Sequence, residues 1–128
     1  MKAARTLFTT VLASALLASV APASADAAAY RHYVACGTSA KAKPDHSCHK
    51  RQKKAAFFRS NNETVRYKVC VRFPPGIRPR LICTPKAQIA EQGALYYNRI
   101  TSNVPGRHKV TWWVKGKRVG VFYFRVFG

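Results

Sequence analysis

The clearest alternation of apolar and polar positions lies near the C-terminal end of the chain. Val110, Trp112 and Val114 alternate with Lys109, Thr111, Trp113 and Lys115, the period of two that gives a strand one apolar and one polar face. Lys115-Gly116-Lys117 interrupts the run with a glycine able to take positive φ, as a tight hairpin requires. A second run rich in β-branched and aromatic residues follows, Val119 to Phe127. The pattern predicts a terminal antiparallel hairpin whose core-facing residues are Val110, Trp112, Val114, Phe122, Phe124 and Val126. Matching those faces across the turn requires a bulge near Val119-Gly120.

The same period recurs upstream, where Val65, Tyr67, Val69, Val71 and Phe73 alternate with Arg66, Lys68, Cys70 and Arg72. Phe73-Pro74-Pro75-Gly76 turns the chain, and Arg80 to Thr84 can return antiparallel. Ala55-Ala56-Phe57-Phe58 predicts the first core strand, Leu95 to Thr101 another, and Tyr30 to Val34 a short edge strand. Pro85 to Gln92 has proline at its start and Gly93 where a C-cap would stand, which predicts one short helix at about 85–92. Six or seven short strands, one helix and no βαβ alternation make an all-β chain, an antiparallel β-sandwich.

Ahead of this pattern the chain opens with Lys2 and Arg5, an apolar run from Leu7 to Val20, and Ala23-Ser24-Ala25. A positive head, a short apolar middle and a small-residue exit predict a secretory signal peptide, residues 1–25, and therefore a secreted, extracellular protein. Cleavage after Ala25 leaves 103 residues, and because two of the 23 basic residues and none of the four acidic ones lie in the leader, the remainder carries +17. Residues 26–54 then form a basic, loop-rich segment and residues 55–128 the sandwich. So much like charge opposes compaction, and something must offset it.

Four cysteines in an exported chain are the natural means. Counting outward from Gly76 and Ile77 places Cys83 opposite Cys70 on paired antiparallel strands, and Ile82 opposite Val71 on the other face. Directly opposite residues can be bridged, so Cys70–Cys83 is expected, which leaves Cys36–Cys48 to close a polar loop. A metal site of Cys36, His46, Cys48 and His49 has suitable ligand types but lacks the C-x₂-C and H-x₃-H spacings of zinc fingers. No metal or cofactor is expected.

Tyr67-Lys68-Val69-Cys70-Val71, Asn98-Arg99-Ile100, Val110-Thr111-Trp112, Gly116-Lys117 and the closing Phe122, Phe124 and Val126 resemble small secreted bacterial immunoglobulin-like domains over residues 55–127. The resemblance implies a sandwich and a binding or structural role, and it brings no catalytic residues. It departs from antibody domains in one respect. Those bridge their two sheets through a disulfide beside a buried Trp, whereas here Cys83 precedes Trp112 and the last two strands hold no cysteine.

The opposite hairpin face carries Trp113, Val121, Tyr123 and Phe127 among Lys109, Lys115 and Arg125. Aromatics among cations can stack on sugar rings or bases while the cations meet phosphate or carboxylate. Candidate binding residues are therefore Lys109, Trp113, Lys115, Tyr123 and Arg125, with Lys50, Arg51, Lys53 and Lys54 as auxiliary contacts. The charge implies a polyanionic partner: nucleic acid, cell-wall polymer or anionic membrane surface. Two other classes compete with this binding module. A basic secreted ribonuclease could use His32, His46, His49 or His108 with Glu63 or Glu91, but no spacing ties a carboxylate to a histidine. A protease inhibitor could present Phe73–Ile82, stiffened by Pro74, Pro75 and Pro79, with Arg78 or Arg80 entering a trypsin-like pocket.

Overall fold

The computed structural model describes residues 29–128, and the predicted leader lies outside them. Nine strands follow in order: β1 (Tyr30–Ala35), β2 (Ser47–His49), β3 (Lys54–Ser60), β4 (Val65–Arg72), β5 (Leu81–Cys83), β6 (Gln88–Ala90), β7 (Leu95–Ile100), β8 (Gly106–Val114) and β9 (Lys117–Phe127). They form two sheets. One is three-stranded, β1-β3-β7; the other runs β2-β9-β8-β4-β5, with β6 also paired to β4.

The terminal hairpin has the expected form. Val114 pairs with Lys117, so the loop is Lys115-Gly116, and both residues take positive φ, 53° and 78°, the type I′ geometry that matches the twist of the flanking strands. The pairing then steps from Trp113–Arg118 to Trp112–Gly120, which leaves Val119 as the extra residue of a bulge. Trp112, Val110, Val114, Phe124 and Val126 are buried as expected, while Phe122 is only partly covered. They meet Val34, Ala56 and Phe58 of the smaller sheet, and the Phe58 ring stacks on Tyr67 at 4.4 Å.

Two expectations need correction. Residues 85–92 contain no helix: Gln88, Ile89 and Ala90 pair with Tyr67, Arg66 and Val65 as β6. Seven residues between Pro85 and Gly93 offer too few hydrogen bonds to repay helix nucleation, whereas β4 has a free edge beyond its three-residue pairing with β5. The sandwich also reaches into the segment assigned to residues 26–54. All of β1 pairs with β3 and buries Tyr33, Val34 and Ala35, and β2 lies parallel to the end of β9. The loop closed by Cys36–Cys48 carries Ala42 onto a second apolar cluster of Tyr33, Ala35, Ala55 and Phe57. That is why Ala55 to Phe58 is apolar on both faces. The Cys70–Cys83 bridge forms between directly paired residues, with Val71 facing Ile82.

Two histidines are built into the packing. His108 is wholly buried, its Nδ1–H donating to the Gly106 carbonyl at 3.1 Å while Nε2 accepts from the Ser102 hydroxyl at 2.8 Å. Its ring stacks on Phe124. The pair of bonds suits the neutral ring, and burial lowers its pKa, with the nearby Lys54 charge adding to the effect against the Gly106 bond. Burial also lowers the pKa of His32, which lies against Trp112. Both rings therefore take up protons more readily unfolded than folded. Stability should be full above about pH 6.5, the unfolded value, and fall as pH drops below it. Each such proton removes up to about 1.4 kcal/mol per pH unit within that window. Urea unfolding at intervals from about pH 7.5 down to 5 measures the slope, and a flat profile there would contradict the assignment.

Candidate functional site

Because directly paired residues point to one side of a sheet, the register fixes what the outer face of the larger sheet carries. One row reads Leu81, Arg72, Lys109, Tyr123 across β5, β4, β8 and β9. The next reads Cys83, Cys70, Thr111, Val121, and a third Lys68, Trp113, Arg118. Arg107 and Arg125 face each other at the near end, and Ile89 faces Arg66 at the far end.

The predicted residues Lys109, Trp113, Lys115, Tyr123 and Arg125 all fall on this face, linked by a chain of depressions. A groove of about 720 Å³ is lined by Arg66, Lys68, Ile89, Trp113 and Lys115 among others. Trp113 also lines a smaller cleft with Arg72, Lys109 and Arg118. Arg72 and Lys109 pass on to a third, of about 190 Å³, with Arg80, Arg107 and Tyr123; Tyr123 then joins Arg107, Arg125 and His46 in a fourth. No carboxylate lines any of the four.

The two aromatics serve differently. Trp113 is half-buried, and its Nε1–H donates to Thr111 Oγ1 at 3.0 Å, which fixes the indole and leaves ring surface as what it offers. Tyr123 is 39% exposed, but the Arg107 guanidinium lies 4.2 Å over its ring and Lys109 Nζ 5.9 Å away. It holds cations in place. Phe127, 46% exposed, meets the His49 ring edge-on at the sheet's end.

The auxiliary cluster is only partly as expected. Lys50, Arg51 and Lys53 line a separate depression of about 730 Å³, joined by Arg99 of β7. Lys54 borders it but is 2% exposed, and its ammonium donates to the Lys50 and Gln52 carbonyls at 3.2 and 2.8 Å. It is the first residue of β3 and ties down the basic loop, so it is no surface contact. Sequence reasoning missed Arg66, Lys68, Arg72, Arg107 and Arg118. The polar phase of β4 was visible, but its pairing with β8 was not.

The histidines of the competing reading are each engaged in local packing or hydrogen bonds. His108 is buried, and His46 donates from Nδ1 to the Tyr123 carbonyl at 2.6 Å while stacking on Phe122. His32 is packed against Trp112, and His49 Nδ1 accepts from the Arg51 amide. Cys36 and Cys48 are spent in a disulfide, and no cluster of three or more metal-ligand types occurs among the described residues. In the Phe73–Ile82 loop, Pro74 is buried against Gly106, and Arg80 turns back to donate from Nε to the Phe73 carbonyl at 3.3 Å. Arg78 stays exposed in that loop.

No family model matches the sequence, and no curated protein is detectably similar to it. Among solved structures the chain is similar to an immunoglobulin-like protein of Pseudomonas aeruginosa, at 11% identity over 77% of this chain and 91% of that one, with a TM-score of 0.51. A looser likeness, at 17% identity and a TM-score of 0.43, is to an alkylpurine DNA glycosylase of Pseudomonas fluorescens bound to DNA containing an abasic-site analogue. It covers 79% of this chain and 31% of that one. The first likeness establishes an immunoglobulin-like fold. Two disulfides accord with an oxidising environment, and no helix among the described residues is long and apolar enough to cross a membrane.

Proposed function

We propose that this immunoglobulin-like sandwich is a secreted, non-catalytic binding module for anionic polymers, and that the outer face of its larger sheet is the contact surface. The observation that carries the reading is the like-charge pairing on that face. Arg72 stands directly opposite Lys109, and Arg107 directly opposite Arg125. Such pairs are destabilising in a free sheet, and no carboxylate of the chain lines the clefts between them. A polyanion laid along the face would offset the repulsion and release its own counterions.

The test is retention on immobilised heparin and on DNA across a salt gradient. Strong retention at low salt, lost steeply as salt rises, is the expected result. Neutralising Arg72 and Lys109 together (R72Q/K109Q) should lower the slope of log affinity against log salt by about 2. The same change at Lys50 and Arg51 should move it less. Elution with a neutral control protein would overturn the proposal.

A further inference from the structure

Resting on that reading, we infer that the preferred polymer is a single-stranded nucleic acid, with phosphates held in the arginine clefts and an unpaired base stacked on Trp113 in the adjoining groove. Three features of the face select this class among polyanions. The first is the indole itself. Its one polar atom is satisfied by Thr111, so Trp113 presents a fixed aromatic surface with no donor left to offer, a platform for another flat ring.

The second is what surrounds it. The charged side chains of the groove are Arg66, Lys68 and Lys115, and neither it nor the adjoining cleft has an Asp, Glu, Asn or Gln in its lining. Of the three hydroxyls among the lining residues, that of Tyr67 donates to Asn98 Oδ1, and those of Thr64 and Thr111 already accept from the Gln92 backbone amide and from Trp113. A sugar polymer stacked on the indole would find few acceptors for its hydroxyl groups, and an unmet polar group at a contact lowers affinity. A stacked base can turn its polar edge to water while its face covers the indole, and a phosphodiester, an acceptor only, is met by the cations.

The third is the arrangement along β8. Lys109, among four cations in the small cleft, and Trp113, in the apolar groove, lie four residues apart on one strand and one face, about 13 Å. Charge and ring surface thus follow one another along a strip. A duplex stacks its bases inward and would reach only the cations; a single strand can use both.

Intrinsic fluorescence reads the contact, because Trp112 is fully buried and Trp113 is not. Titration with oligothymidylate of about 12 nucleotides should quench emission and bind more tightly than the corresponding duplex at equal salt. In W113A the oligothymidylate affinity should fall about tenfold, while heparin affinity stays within about twofold. K68Q/K115Q, exposed positions that leave the packing intact, should weaken both ligands alike. Four results would overturn the inference while leaving the wider reading standing. These are equal losses for heparin and oligothymidylate in W113A, duplex binding as tight as single strand, absence of quenching on saturation, or tighter binding to phosphatidylglycerol vesicles than to oligothymidylate. Failure to bind any of these polyanions would remove both.

Discussion

Replacing Trp112 by alanine should lower the unfolding free energy by about 3–5 kcal/mol, among the largest effects of any single substitution in the chain. The indole is fully buried in the main cluster between the sheets, with the His32 ring 5.1 Å away. Its Nε1 has no hydrogen-bond partner, so truncation breaks no hydrogen bond. The whole penalty comes from lost burial and from the cavity left behind. The surrounding sheets cannot close on that space, because around Trp112 β8 is paired on both sides, to β4 and β9. Chemical denaturation should show a lower midpoint with an unchanged dependence on denaturant. Trp113→Ala, which removes a half-buried ring from the outer face, should shift the midpoint clearly less. Equal midpoints for the two variants would mean that the neighbouring tryptophans do not divide the inside from the outside.

That division was legible from alternation alone, as were the Val119 bulge and the Cys70–Cys83 pairing, because each depends on residues close in sequence. A period of two assigns faces, a glycine permits a turn, and symmetric counting about a short loop sets a register. What escaped the sequence depends on which distant strands become neighbours. Ile89 is apolar and followed by Ala90 between a proline and a glycine, a pattern compatible with either a helical turn or an edge strand. The free edge of β4 decides for the strand. His108 reads as a titratable side chain on a strand until Ser102, Phe73 and Phe124 close around it. Lys54 reads as the end of a basic run until its ammonium is found capping that run's own carbonyls.

The candidate face divides in the same way. Lys109, Trp113, Lys115, Tyr123 and Arg125 follow from one hairpin. Arg66, Lys68 and Arg72 come from β4, the last two more than 35 residues upstream of their β8 partners Trp113 and Lys109, and they line the groove and clefts from the other side. The N-terminal segment, which reads as basic and loop-rich, supplies a lid for the second apolar cluster and the parallel strand that pairs with Arg125–Phe127 at the end of β9. A strongly basic chain is thereby held at both margins of its sandwich, and the cations are left on a face that packing does not need.

Gly120→Ala should be the other severe change, at about 1–3 kcal/mol, through overpacking. A Cβ at this position would stand 2.5, 2.6 and 2.7 Å from Cγ, Cδ2 and Nδ1 of His32. The backbone of Gly120 is not in the left-handed region, so alanine meets no torsional penalty and the effect is steric. Cγ is the inner atom of the ring and cannot swing clear without moving the imidazole off Trp112 or drawing β1 away from β9. His32 therefore explains the glycine better than the bulge beside it does. The pair gives a cycle that isolates the contact. His32→Ala alone opens a cavity but also removes a buried Nδ1 that has no partner, so its penalty should be moderate. In the double variant the new methyl enters the space the ring has left, and the combined loss should fall short of the sum of the single losses by about 0.5–3 kcal/mol. Additive losses would show that the two residues do not compete for one space, and that β1 is held over β9 by something other than this contact.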